Sequence, residues 1–574
     1  EGKDCDTMKS KIIASAVSLI LVVGVVIGVV AIVSKDNGNG TSDGHQLNSH
    51  NKAITALCND ADDKKLCHEV LKPVSNSSNP KEYVETVVKT TMDSVIKAFN
   101  MSDRLTVEHG KSNPSLKMAL DDCKDLLQSA IHELEASGVF VRDGNIQDVL
   151  THSAELKNWL GAVIAYQQSC LDGFDTEGEK KIQTQLHTDS LDSVGKLTGL
   201  ALDVVSGISK VLSSFNLNLN LKPASRRLLE VDHEGYPTWL SASDRKLLGA
   251  KVEGGNNGFI PHAIVAKDGS GKYKSILDAI NSYPKGHQGR YVIYVKGGIY
   301  DEYIIVDKKK PNILLYGDGP SKTIITGRKN FHEGVKTMRT ATFSTVADGF
   351  IAKGVTFENT AGAIGHQAVA LRVQGDQSAF FDCAIRGYQD TLYAHAHRQF
   401  YRNCEISGTI DFIFGYASAL IQNSKIIVRK PDPNQSNIVV ADGTDQKNMP
   451  TGIVLQNCEI LPESGLQADR LTIKTYLARP WKAYSRAVFI ENVIGDLIHP
   501  LGYIPWAPEP NTQFSYFAEF GNTGPGANTL GRAKFAKGQI NKQDAEKFIA
   551  EHWIQASTWL PPTGIPFDGA FTKH

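Results

Sequence analysis

The sequence predicts two regions of different fold class, an all-α four-helix bundle followed by an all-β parallel β-helix, behind an apolar N-terminal segment. Three observations carry this. Between residues 51 and 215 apolar residues recur at spacings of three and four, and glycine is sparse. Beyond residue 250 the period becomes two, and similar short runs ending in Asn or Asp return every 20–23 residues over several turns. The 574 residues are 41 % apolar and 21 % charged, which excludes a disordered chain and leaves material for a large core.

The first element is the run Ile12 to Val33, which has no charge and only Ser15 and Ser18 as polar interruptions. At about 1.5 Å per residue it spans the roughly 30 Å of a bilayer core. Lys3, Lys9 and Lys11 precede it, while Lys35 and Asp36 nearly cancel behind it, and this asymmetry sends the rest of the chain across the membrane. Residues 12–33 therefore read as a transmembrane signal anchor or a long signal sequence, and residues 34–50, rich in Gly, Asn and Ser, as a flexible linker. A secretory route makes Asn39, Asn76, Asn100 and Asn434 glycosylation candidates.

Residues 51–215 carry the helical pattern, with main stretches at 83–99, 115–137, 146–172 and 191–215 after a short N-terminal hairpin. Its four cysteines allow three pairings, of which Cys58–Cys67 with Cys123–Cys170 is the least strained. Residues 216–250 lack periodicity. They hold two basic-dileucine clusters, Arg226–Leu229 and Arg245–Leu248, at the boundary between the two regions, where they suit a secretory-pathway processing protease.

In residues 251–574 the repeating runs place Asn or Asp at 359, 382, 403, 423, 457 and 492. One run per coil, with two longer turns, fits a solenoid whose coils stack about 4.8 Å apart. Residues 541–554 regain helical spacing and are expected to pack on the solenoid. The register then brings distant residues together. Cys383 and Cys404 are 21 apart and could bond across neighbouring coils. Asp390 and Asp411 are also 21 apart, and Gln367 and Gln389 are 22 apart. Two stacked carboxylates beside two amides suit acid–base and nucleophilic chemistry, because like charges so close drive one pKa up. The same stack could instead bind Ca²⁺ or serve as a turn-satisfying ladder. Two carboxylates are few ligands for Ca²⁺, and neighbouring aromatics suit stacked sugar rings.

At these residues a resemblance appears. Gly298-Ile-Tyr-Asp-Glu-Tyr303, His366-Gln-Ala-Val-Ala-Leu-Arg372, Gly387–Tyr393, Gly408–Gly415 and Leu477-Ala-Arg-Pro-Trp481 resemble the signatures of plant pectin methylesterases and run in that family's order. The helical region resembles the pectin methylesterase inhibitor domain through its four cysteines, Ala119–Leu126 and Trp159–Phe174. The resemblance implies a right-handed parallel β-helix and hydrolysis of the C6 methyl esters of homogalacturonan, giving pectate and methanol. It implies Asp411 as nucleophile, Asp390 as proton donor and then base, and Gln389 and Gln367 as donors to the oxyanion. Arg479 orients Asp411, and Trp481 and Thr337 contact substrate. No metal and no organic cofactor is implied. The chain departs from many members at Tyr416, where Asn is usual, and at Ala478, where Gly is usual.

Charge adds a last expectation. Residues 249–574 hold 35 Lys+Arg and 29 Asp+Glu, a net of +6, which leaves −7 for residues 1–248. The basic part suits anionic, partly de-esterified pectin, with no nucleic-acid partner indicated. The acidic pro-region is expected either to occupy the esterase cleft before processing or to serve folding and export, and the mature enzyme to reach the extracellular cell wall from a membrane-anchored precursor. A pectin depolymerase and a non-catalytic regulator are the rival readings.

Overall fold

The computed structural model describes residues 53–77, 79–110, 113–214 and 260–573. The run 12–33, the linker 34–50 with Asn39, and the segment 216–250 with both basic-dileucine clusters lie outside the described residues. Among the described residues no helix is long and apolar enough to cross a membrane.

Four long helices build the N-terminal region: α1 Lys81–His109, α2 Pro114–Asp143, α3 Ser153–Asp172 and α4 Asp192–Ser214. Local chemistry sets their ends. The Asn113 side chain accepts from the Leu116 amide and Pro114 fills the first turn of α2. The helix expected over 146–172 breaks in two, Ile146–Thr151 and α3, because His152 leaves the helical basin at φ −109°, ψ 22°. The apolar faces close a core that includes Val84, Val95, Leu120, Leu127, Leu134, Leu160 and Val163. Disulfides Cys58–Cys67 and Cys123–Cys170 tie the N-terminal hairpin and join α2 to α3. Asn76, Asn100 and Asn434 are all exposed.

The C-terminal region is a three-sided solenoid. Its strands form parallel sheets of eleven, eight and seven strands, and the neighbours in a sheet are mostly every third strand in sequence. One coil runs Ser378–Phe381, Ala384–Arg386, Leu392–Ala394, and the next Arg398–Arg402, Glu405–Gly408, Ile413–Gly415. The pairings Phe380↔Tyr401 and Leu392↔Ile413 give the 21-residue coil that the spacing predicts.

The turn ladder departs from expectation at both ends. The left-handed position is held by Gly354 (φ 63°), Asp382, Asn403, Asn423, Asn457 and Glu491. Asn359 is out of phase, because its strand pairs Thr356 with Ala384 and puts the preceding coil 28 residues away. At the last step Glu491, not Asn492, takes the left-handed conformation, and its carboxylate accepts from the Thr572 and Lys573 amides of the C-terminal segment. Gly, Asn and Asp tolerate this region at low cost, whereas Glu has its carboxylate pinned there by backbone donors.

Inside the coils aromatic rings stack. Phe380 and Tyr401 lie 4.9 Å apart with planes 8° from parallel, and both are fully buried. Phe380→Ala should cost about 3–5 kcal/mol through lost contacts and a cavity, read as a lower midpoint of denaturant unfolding at unchanged slope. Outside the eleven-stranded sheet, the expected helix over 541–554 is instead several short turns, broken where Ile549 is extended. These turns place Phe548, Ile554, Trp559 and Leu560 against Leu314, Phe400, Leu420 and Val454.

The expected bond between Cys383 and Cys404 is absent; both are free, buried thiols, as is Cys458. The two stack on adjacent coils as the register requires. Each thiol instead donates to a nearby carbonyl, Cys383 to Phe381 at 3.4 Å and Cys404 to Arg402 at 3.3 Å.

Candidate active site

The seven-stranded sheet positions the chemistry. Asp390 and Asp411 each lie two residues before a strand, and those strands pair Leu392 with Ile413, so the two carboxylates occupy equivalent places on adjacent coils. Both take left-handed backbone, φ 60° and 49°, which turns their side chains out of the regular pleat. The Asp390 amide donates to Ile410 O at 3.0 Å and fixes this turn. Gln367 and Gln389 form a parallel bridge one coil apart. Gly408 must be glycine, since a Cβ there would lie 2.2 Å from Phe412 Cβ and 2.6 Å from Tyr388 O.

Arg479 arrives from the strand Thr475–Pro480. It grips Asp411 with two parallel hydrogen bonds, Nε to Oδ1 at 2.8 Å and a terminal nitrogen to Oδ2. Its guanidinium also lies over the Trp506 ring at 4.1 Å. Trp481 packs on Tyr416 and Phe414, and Phe414 stacks on Tyr393 at 4.4 Å.

All seven residues singled out in the sequence, Thr337, Gln367, Gln389, Asp390, Asp411, Arg479 and Trp481, line one cavity of about 320 Å³. His366 does not line it; it stacks on His332. Lys336 and Trp506 do line it, and motif spacing did not single them out. Trp506 sits in the Pro-rich stretch Ile504-Pro-Trp-Ala-Pro508, where no repeat or motif marks it. Burial pushes the Asp390 carboxyl well above the ordinary carboxylate range, and neighbouring Asp411 pushes it further. Burial also raises Asp411, while Arg479 pulls against that rise. One carboxyl favoured as acid, beside another clamped by a cation, is the arrangement that proton donation and nucleophilic attack on an ester require. The Oε1 atom of Gln367 is buried and has no hydrogen-bond partner.

The other wall of the cavity is helical. Asp122, Ser169, Asp172 and Asp175, from α2, α3 and the turn after α3, line it too. Ser169 bonds Tyr393 at 2.9 Å and His395 at 2.8 Å. Tyr416, the residue that departs from the common pattern, donates its hydroxyl to Asp172, and Lys482 pairs with the same carboxylate at 2.7 Å. Arg398, only 2 % exposed, is shared between Asp376 on the preceding coil and Glu155 of α3. The apolar helical core runs on without a break into Val369, Tyr393, Phe414 and Tyr416.

Comparison with known proteins agrees with this geometry. Residues 262–557 match the Pectinesterase family profile, and residues 52–204 match the Plant invertase/pectin methylesterase inhibitor profile. A "Probable pectinesterase/pectinesterase inhibitor" of Brassica napus is 39 % identical over 97 % of this chain and 98 % of its own. A "Pectinesterase/pectinesterase inhibitor" of Brassica campestris is 39 % identical over 95 % of this chain and 99 % of its own. Among solved structures, a pectin methylesterase from carrot superposes with a TM-score of 0.54 at 44 % identity, covering 54 % of this chain and 98 % of that one. With the carboxylate pair, its arginine clamp and both matched regions in place, the chain belongs to the pectinesterase family and carries an inhibitor-family domain at its N-terminal side.

Proposed function

We propose that this chain hydrolyses the C6 methyl esters of homogalacturonan in the plant cell wall, and that its helical half holds the esterase shut until it is released. The observation that carries the chemistry is the buried Asp390–Asp411 pair with Arg479 clamped on Asp411. The Asp411 carboxylate attacks the ester carbonyl carbon. The developing oxyanion accepts from the side-chain amides of Gln367 and Gln389. As the tetrahedral intermediate collapses, the Asp390 carboxyl gives its proton to the departing methoxide, and methanol leaves. Asp390, now a carboxylate, takes a proton from water, which attacks the acyl-enzyme and frees Asp411. Trp481 and Thr337 hold the flanking sugars. Methanol release from highly methylated homogalacturonan, without new reducing ends, tests this reading; new reducing ends without methanol would replace it with a depolymerase.

In the same proposal, residues 12–33 deliver or anchor the precursor, and a secretory-pathway protease cuts at Arg226–Leu229 or Arg245–Leu248. The mature enzyme then acts in the extracellular wall, with Asn76 and Asn100 of the precursor and Asn434 of the mature enzyme open to glycosylation. What supports self-inhibition is the placement of Ser169, Asp172 and Asp175 across the cavity.

The docked state carries a pH dependence. Burial pushes His397 down, but Glu133, paired with it at 3.6 Å, and then Asp376 and Asp348 leave it raised on balance. Glu133 belongs to α2, so part of this upward pull exists only while the helices are docked. Docking is therefore strongest below the ordinary imidazole value of about 6.5 and weakens as pH rises through the higher docked value. After cleavage between the halves, their affinity should fall from pH 5.5 to pH 8. His397→Gln should flatten that dependence; a slope surviving in the variant would remove His397 as its source.

A further inference from the structure

Among the described residues, every ion pair between the halves puts the carboxylate on the helical side and the cation on the β-helix. Three of the cations fringe the cavity. Lys336 meets Glu179 at 2.7 Å and Asp175 at 3.4 Å. Arg339 meets Asp122 at 2.7 Å, and Lys482 meets Asp172 at 2.7 Å. Asp122, Asp172 and Asp175 themselves line the cavity beside Asp390 and Asp411.

These cations differ from Arg479, whose carboxylate partner lies on its own half. The described hydrogen-bond and ion-pair partners of the Lys336, Arg339 and Lys482 head groups all come from the helices. Lys336 is only 3 % exposed while they are docked. A buried ammonium needs an anion, and departure of the helices removes these hydrogen-bond and ion-pair partners from all three cations at the edge of an open cleft.

We propose that Lys336, Arg339 and Lys482 form a polyuronate-carboxylate site around the reacting ester, and that the helices close the chain by seating their own carboxylates on it. This rests on the pectinesterase reading for the class of polymer. The ligand is the free C6 carboxylate of a de-esterified galacturonate unit next to the methylated unit under attack. Two consequences follow from competition for the same cations. Sparsely de-esterified pectin binds more tightly than fully methylated pectin, and the de-esterified product displaces the helices and favours the open chain.

The test is binding of a fluorescent oligogalacturonate, which has no ester, to the full chain at low salt. The intact chain should bind it weakly. Asp122→Asn with Asp172→Asn, both close in shape to the native residues, should raise the affinity about tenfold or more. On that background Lys336→Gln, Arg339→Gln and Lys482→Gln should each lower it about three- to tenfold, and more in combination. Lys534→Gln, an exposed charge elsewhere on the β-helix, controls for net charge and should change nothing. A fully methylated oligomer should respond far less to the same cation substitutions. Equal oligogalacturonate binding by the triple cation variant, with its melting transition intact, would overturn the site. No gain from the aspartate double variant, or from Asp172→Asn alone if the double variant unfolds, would overturn the mimicry. Methanol is not a readout here: a chain that binds as described yet releases none would lose the esterase reading and keep the site.

Discussion

Asp411→Asn in the released esterase should abolish methanol release, with kcat falling by at least about 10⁴-fold. The carboxylate would be the attacking atom, and removal of a nucleophile in comparable acyl-transfer sites costs that much or more. The substitution keeps the side-chain volume and one acceptor for Arg479, so the fold and pectin binding should persist. Asp390→Asn should cost less, about 10²- to 10⁴-fold, because it removes proton transfer and leaves attack in place. The pair also predicts a pH profile. Activity needs Asp411 ionised and Asp390 protonated. Burial raises both carboxyls, and Asp411 adds to the rise at Asp390. Arg479 stays on Asp411 after release, so the alkaline limb should sit above the acid limb, each as a property of the coupled pair. Methanol release by Asp411→Asn within tenfold of the parent would remove it as nucleophile and redirect the chemistry to Asp390.

The parts of this site that the sequence displayed are those that repeat at one coil. Asp390 and Asp411, like Cys383 and Cys404, are 21 residues apart because the coils between them carry no insertion. Where a coil lengthens, spacing misleads: Asn359 shares a motif with the ladder but sits in a strand, and Glu491 displaces Asn492 because the C-terminal segment supplies its donors. The helical stretches were legible from their three-and-four spacing, while the break at His152 depends on one residue's backbone angles. Trp506, Lys336 and Arg339 were invisible as individuals, since their partners Arg479, Glu179 and Asp122 lie far away in sequence. The docking itself showed only as charge, −7 against +6, because a surface match between two domains has no period.

Cleaving the chain between the halves should convert a silent esterase into one whose specific activity depends on protein concentration. Uncut, the halves meet at an effective concentration of about 1 mM; if their affinity as separate molecules is about 1 µM, only about one chain in 10³ is open at any moment. After the cut, the complex should persist at high concentration and dissociate below about 1 µM, where methanol release per molecule should reach about 10²- to 10³-fold that of the uncut chain. The buried pairs decide how steep this is. Arg398 would keep Asp376 on separation but lose its paired bonds to Glu155, whereas Lys336, held by Glu179, would be left as a stranded charge unless water or polyuronate replaces the partner. Glu155→Gln should therefore shift the dilution midpoint upward by about tenfold or more and raise the residual activity of the uncut chain. Equal activity of cut and uncut chains at every dilution would show that the helices dock without inhibiting, and would leave them a role in folding and export alone.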